Sequence, residues 1–277
     1  MKLSASNICW EEKYDEDMYR FLSDQRIALE AVPSRIFKWE DSRLNGRPIS
    51  PFEKIQDAVS WYRIVHRFYG LDIASMHSLL YKIEENLFAT ATYRRYLTEY
   101  LKSAVRFAVR IGCPNLCFGA AQNRNIPPHI SLEDAGRIAV CFFKELADYA
   151  WQHRVCLSIE PLPEKYGTNF INYTYQAFDL VKAVNSPGLQ VDVDLGTVMT
   201  NQEDIREIFT KEHISMIHHV HFSEPDLGPI QERDIYAEAA ELLKKCGYRR
   251  FVSLKMLEFP DVTLIQGVLR YFRHLTV

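Results

Sequence analysis

A closed (β/α)8 TIM barrel is the fold class that the sequence predicts, and three observations carry the expectation. Eight short strand-like runs alternate with longer runs of helical spacing along the 277 residues. Strict alternation implies parallel strands joined by right-handed crossovers. The turn after the first run, Ser6-Asn7-Ile8-Cys9-Trp10, holds no glycine. The Gly-rich turn that marks a doubly wound open sheet is therefore missing, which favours closure. A barrel of about 250 residues is one domain, and no linker or low-complexity stretch divides the chain. Residues 1–277 are expected to form a single barrel domain.

The strand runs fall at residues 2–9, 26–32, 72–76, 116–118, 155–159, 189–193, 216–222 and 251–256. Between them, Leu97, Leu101, Ala104, Val105 and Ala108 share one helical face, and Gly112-Cys113-Pro114 stops that helix. Ser131-Leu132-Glu133-Asp134 has the spacing of a capping box and opens a helix running through Phe142, Leu146 and Tyr149. A further helix runs from Ile235 to Cys246 and ends at Gly247. Residues 121–128, punctuated by Asn-Arg-Asn and Pro-Pro, read as the longest irregular loop.

Composition narrows the function classes. Hydrophobic residues make up 47% of the chain, enough for a core that needs neither disulfides nor metals. The net charge of −3 gives no general attraction for polyanions. The basic pairs Arg94-Arg95, Lys244-Lys245 and Arg249-Arg250 have acidic neighbours and read as solvated faces, so no nucleic-acid partner is expected. The six cysteines form no C-x-x-C pair, and several sit inside apolar runs as free thiols do. No signal core and no apolar run of about 18 residues is present. A cytoplasmic protein without a membrane partner is the expectation.

Side chains two apart on a strand share a face. Ser158 and Glu160 share one, as do Asp192 and Asp194, His219 and His221, and Ser253 and Lys255. The opposite faces are apolar. Four strands thus aim ionisable groups at their C-terminal ends, where barrel enzymes build active sites. Each residue alone has a plainer reading. Glu160 before Pro161 could be a solvated strand end, Asp194 could cap a turn, and a strand histidine is commonly a satisfied core residue. Lys255 is harder to dismiss. Flanked by Leu254 and Met256, it has no easy route to water, and a buried ammonium needs carboxylate partners. Glu160 and Asp194 are the obvious ones.

These pieces carry a resemblance. Phe118-Gly119 followed by Asn123-Arg124, Ile159-Glu160-Pro161-Leu162-Pro163 continuing to Tyr166-Gly167-Thr168-Asn169-Phe170, Asp194-Leu195-Gly196, and His219-Val220-His221-Phe222-Ser223-Glu224-Pro225 occur in order along the chain. Together they resemble the sugar phosphate isomerase/epimerase proteins of the xylose isomerase-like TIM barrel superfamily. The resemblance implies a divalent ion, Mn²⁺, Mg²⁺ or Zn²⁺, held by a Glu, an Asp, a His and a second Glu. Glu160, Asp194 and His221 match the first three. Where the second Glu belongs the sequence has Lys255, and Thr197 stands where the family often has a histidine. An ammonium beside a divalent ion is repulsive at short range, which puts the metal in doubt. Either Lys255 takes the ion's place, or it swings outward and leaves three ligands, with Glu258 as a further candidate carboxylate.

The leading functional reading is an isomerase or epimerase of a sugar or sugar phosphate, with Glu160 and Lys255 catalytic. Asn7, His77, Arg124 and Glu224 are candidate substrate contacts, Arg124 toward a phosphate or carboxylate, and Trp10 and Tyr166 could stack on a sugar ring or pack the rim. A Schiff-base aldolase or lyase through Lys255 is a second reading. A carbohydrate-binding barrel that has lost its chemistry is a third. The partner in the leading reading is a small carbohydrate, and a homodimer or homotetramer is the expected assembly.

Overall fold

The structure, a computed structural model, describes residues 1–37, 43–44, 47–48, 50–53 and 55–276. Eight parallel strands close into a barrel: β1 Lys2–Ser6, β2 Ala28–Ala31, β3 Ile73–Met76, β4 Asn115–Phe118, β5 Cys156–Ile159, β6 Leu189–Asp194, β7 Ile217–Phe222 and β8 Phe251–Leu254. Each pairs with its sequence neighbours, and β8 pairs with β1 to complete the ring. All eight lie within or overlap the expected runs. The longer helices follow in turn: α1 Asp15–Gln25, α2 Ile55–Tyr62, α3 Ala91–Arg110, α4 Leu132–Gln152, α5 Thr174–Val184, α6 Leu195–Asn201, α7 Asp234–Lys245 and α8 Val262–Thr276. A two-stranded antiparallel pair, Arg43–Leu44 with Arg47–Pro48, follows β2 and was not expected from the sequence.

Local signals operate as expected. Ser131 caps α4, its hydroxyl accepting the Asp134 N–H, and Gly112 takes a φ of 64° just beyond α3, the left-handed turn that glycine permits. The irregular segments differ from expectation in one respect. Residues 77–90, between β3 and α3, contain neither helix nor strand and are longer than residues 121–128. Leu79, Leu80, Ile83, Leu87 and Phe88 in that segment are buried, so its apolar content conceals a loop that packs down on the barrel mouth.

The strands turn one face to the helices and the other to the barrel axis. Val191, Val193, Val220, Phe222, Val252 and Leu254 are buried outward against the helical layer. Barrel interiors are usually filled by branched apolar side chains; this one is polar. Ser4 and Ser253 hydroxyls lie 2.6 Å apart, Ser6 is 2.7 Å from His77 Nε2, and Asn115 Nδ2 donates to Ser75 Oγ at 2.9 Å. His219 Nε2 lies 2.7 Å from Ser253 Oγ. Most of these polar groups bond to one another, while Ser158 Oγ, Asn115 Oδ1 and His219 Nδ1 are buried without a partner.

Close helix–strand packing is set by Gly188, just before β6, where a Cβ would collide with the Ala147 carbonyl oxygen of α4. Gly136 within α4 faces open space. Gly188→Ala is expected to lower stability by about 1–3 kcal/mol through overpacking. Gly136→Ala should raise it by about 0.5–1 kcal/mol through helix entropy. Urea unfolding midpoints of the two variants check both signs.

Candidate active site

The strand ends converge as their alternation requires. The Glu160 N–H donates to Phe118 O at 3.2 Å and the Lys255 N–H to Phe222 O at 3.0 Å, so both residues extend the ladder beyond the assigned strands with side chains held inward. Register places Asp194 beside His221 and Asp192 beside His219. The Lys255 ammonium is 6% exposed and donates to Glu160 Oε1 at 2.5 Å and to Asp194 Oδ2 at 3.5 Å. Those are the partners its sequence context demanded. Asp194 performs both of its readings, since Oδ1 accepts the Thr197 N–H at 2.9 Å and caps α6 while Oδ2 faces the ammonium.

His221 is the hub beneath. Its Nδ1 lies 3.1 Å from Glu160 Oε1 and 3.3 Å from Asp192 Oδ1, and its Nε2 lies 3.1 Å from Glu30 Oε1. The same Glu30 oxygen is 3.4 Å from His219 Nε2. Glu160, Asp194 and His221 form one group of potential ligand atoms within 4.8 Å of each other, and Glu30, His219 and His221 form another.

Burial opposes every one of these charges, and proximity decides which survive. Burial pushes Glu160 upward, but Lys255 and His221 outweigh it and hold the carboxyl well below its usual range. For Lys255 desolvation is likewise overcome, by Glu160 and Asp194, and the ammonium is held well above its ordinary value. Desolvation of His221 is overcome by Asp192 and Glu30, with help from Glu160, so the ring is held as an imidazolium. For His77 burial wins: with Lys255 and His221 adding to it against Glu30 and Glu160, it lowers the ring to about 4 and leaves it neutral. Asp192 is raised to about 7, by burial first, with Glu160 and Glu30 repelling its charge against the pull of His221.

A cavity of about 430 Å³ opens above this cluster. Glu160, Asp194, Lys255, His77 and Glu224 line it, with Tyr166 at the rim. The other expected residues are placed differently. His221 lies below the floor, fully buried. Asn7 does not line the cavity: its Oδ1 accepts the Val32 N–H at 3.0 Å, tying β1 to the end of β2. Arg124 is also corrected. Its guanidinium is fully buried and donates to the Glu160 and Ile171 carbonyls at 2.9 and 3.4 Å. It fixes the strand end from behind and does not line the cavity. Glu224 reaches the cavity with its carboxylate already bonded to Arg233, Tyr236 and the Gln231 N–H. Trp10 is buried with its indole N–H on Asp15, and Glu258 is exposed and outside the cavity.

Sequence reasoning missed Glu30 and the role of Gly119, which it singled out only as part of the Phe118-Gly119 piece. Glu30 had a readable signal, a lone carboxylate within the apolar run Ala28-Leu29-Glu30-Ala31-Val32, the argument that singled out Lys255. Gly119 had none, because the demand on it is tertiary: a Cβ there would collide with Glu160 Oε2.

A pH test follows from Asp192. Its folded pKa lies above the ordinary 3.8, at about 7, so the fold favours the protonated form. Stability present in acid is lost as pH rises between those two values. Asp192→Asn should flatten the stability profile across that window and be more stable than the parent at pH about 8, measured by thermal unfolding. An unchanged slope would contradict the assignment.

The geometry can now be set beside known proteins. The solved structure of a 3-keto-D-glucoside 4-epimerase from E. coli is 14% identical, with a TM-score of 0.75 over 99% of both chains. A D-allulose 3-epimerase from Methylomonas sp. is 15% identical, with a TM-score of 0.75 over 100% of this chain and 98% of that one. An AP endonuclease of family 2 from Brucella melitensis is 18% identical, with a TM-score of 0.72 over 98% and 97%. At these identities the likeness is one of fold. No curated protein matches the sequence. The family model described as xylose isomerase-like TIM barrel matches residues 51–274, and the chain belongs to that family.

Proposed function

We propose that the protein is an isomerase or epimerase of a sugar or sugar derivative in which the Lys255 ammonium stands where a divalent ion would otherwise sit. The solved neighbours that act on sugars, including a D-psicose 3-epimerase from Clostridium cellulolyticum H10 solved with D-tagatose, support the substrate class. One observation carries the rest. Lys255 Nζ lies 2.5 Å from Glu160 Oε1, 3.5 Å from Asp194 Oδ2 and 3.4 Å from His221 Nδ1. That is the centre of the oxygen and imidazole donor set that suits a hard or borderline ion. A dication there would meet the ammonium head-on, so these residues do not fit a metal while Lys255 points inward.

The chemistry then runs on the chain's own groups. The ammonium hydrogen-bonds a substrate carbonyl oxygen at the cavity floor and stabilises the charge that grows on it as an enediolate forms. Glu160 Oε1 is held by Lys255 and His221, and Oε2 accepts only the weak Cys117 thiol at 3.5 Å, which leaves it the more basic edge. The carboxylate takes the proton from the carbon beside the carbonyl. In an isomerase Glu160 returns the proton to the former carbonyl carbon while the proton of the neighbouring hydroxyl passes to the former carbonyl oxygen. In an epimerase the opposite face of the same carbon takes a proton from water in the cavity, and Glu160 releases its own to solvent. His77, neutral and bonded through both ring nitrogens to Ser6 and Ser78, lines the same cavity and meets a sugar hydroxyl only if that hydroxyl displaces Ser78.

The aldolase reading needs an unprotonated lysine, and the two carboxylates that hold Lys255 charged count against it. A binding barrel without turnover has one observation in its favour: the same ion pairs depress the basicity of Glu160. A reducing, cytoplasmic setting is in keeping with six free cysteines. Among the described residues no helix is long and apolar enough to cross a membrane.

Solvent deuterium exchange separates the readings. Chelator-treated protein incubated with aldoses and ketoses in D2O should replace a carbon-bound proton, seen by NMR. Glu160→Gln should slow that exchange by about 10²-fold or more. No exchange with any sugar of a broad panel would favour the binding barrel. Lys255→Glu tests the substitution itself, since it supplies the missing carboxylate and removes the ammonium. It should bind about one Mn²⁺ per chain more tightly than the parent by at least tenfold, measured by calorimetry. Equal affinity in the two proteins would sink the idea.

A further inference from the structure

We infer that the reaction cavity continues sideways into a second subsite, which takes the substituent of a glycoside or the second ring of a disaccharide. The inference rests on the carbohydrate reading above. A cavity of about 510 Å³ lies over the end of β4 and the loop after β3. Ser78, Gly119, Ala121 and Tyr166 line both this cavity and the one above Lys255. Three of those four are among the smallest residues available, so the boundary between the volumes is low. Gly119 is held small by Glu160, which leaves no room for a Cβ.

Tyr166 is the boundary's one large side chain, and it is fixed. Its hydroxyl accepts the Asp226 N–H at 2.8 Å, and the Lys165 ammonium stands 5.1 Å from its ring centroid. The second cavity has an apolar floor from buried Leu79, Ile83 and Phe118. Its edge carries exposed Tyr81, Lys82, Glu84 and Gln122. An aromatic ring, an amide and one charge of each sign around an apolar floor match a neutral polyhydroxylated ring, which offers C–H faces to apolar groups and hydroxyls to polar ones. Two non-glycine residues of this wall, Ser78 and Lys82, take left-handed φ values of 55° and 61°, and strain of that kind gathers at ligand-binding loops. The 430 Å³ cavity alone already falls in the range of about 300–1,000 Å³ usual for small-ligand sites. The adjoining volume is therefore additional to what one sugar ring needs.

Calorimetric titration of the full-length, chelator-treated protein tests the subsite. Glucose and fructose are compared with maltose, cellobiose and sucrose, and at least one disaccharide should bind about tenfold more tightly than either monosaccharide. Ala120→Trp places an indole in the second cavity alone, because Ala120 does not line the first. It should abolish the disaccharide gain and leave monosaccharide affinity unchanged. Gln122→Ala, an exposed change that spares the fold, should reduce the gain by about threefold or more. Equal affinity for both sugar classes, or a gain that persists in both variants, overturns the subsite. Deuterium exchange keeps the two readings apart. A disaccharide gain without any exchange defeats the isomerase reading and leaves the subsite standing, whereas exchange on monosaccharides without a gain does the reverse.

Discussion

The structure turns on one ammonium group buried where four carboxylates converge. Glu30, Glu160, Asp192 and Asp194 all lie within the barrel mouth or just beneath it, and none is more than 6% exposed. Desolvated carboxylates at such density cannot all stay ionised without counter-charge. Lys255 supplies one positive charge and His221, held as an imidazolium, supplies a second. Asp192, raised to about 7, absorbs part of the remainder by taking up a proton. Replacing the lysine with a neutral residue would strand Glu160 and Asp194, and removing one partner of a buried pair typically costs about 3–5 kcal/mol. The pair is weak evidence of net stability, because well-packed apolar residues could fill the same space as cheaply. Its main physical consequence is the charge it places on the floor of the cavity above.

The rest of the architecture serves that arrangement. Arg124 grips the Glu160 carbonyl from behind, Gly119 clears space for its carboxylate, and Asp194 is steadied by capping α6. His221 is fixed from both ring nitrogens, by Glu160 and Asp192 on one side and Glu30 on the other. Below it Ser4, Ser6, Ser75, Ser253, His77, His219 and Asn115 of the barrel axis are linked by hydrogen bonds. The polar interior thus acts as a rigid plinth, which is what charged groups need if they are to stabilise a transition state without reorganising.

Much of this was legible in the sequence because strands obey a period of two. Once eight runs were found, alternation alone put Glu160, Asp194, His221 and Lys255 on one face near the ends of consecutive strands, and the apolar neighbours of Lys255 required carboxylate partners. Glu30 is equally readable, but side-chain faces were assigned only for the last four strands. Arg124 and Asn7 were misplaced for a different reason. A residue near a strand end lies close to the site in sequence, but whether its side chain enters the cavity or braces the backbone depends on loop geometry, and loops carry no periodicity. Gly119 illustrates the limit: nothing in Phe118-Gly119-Ala120 reveals that a carboxylate from another strand occupies the space of its missing Cβ. The loop at residues 77–90 was unreadable too, because its buried leucines mimic a structured element.

The central claim is that the lysine, and not an ion, occupies the focus of the strand ends. A crystal of the parent protein grown in excess Mn²⁺, with anomalous diffraction recorded at the manganese edge, tests it most directly. No anomalous peak is expected among Glu160, Asp194 and His221, and Lys255 Nζ should be in contact with both carboxylates. A full-occupancy peak at that point, with Lys255 turned out toward solvent, would contradict it.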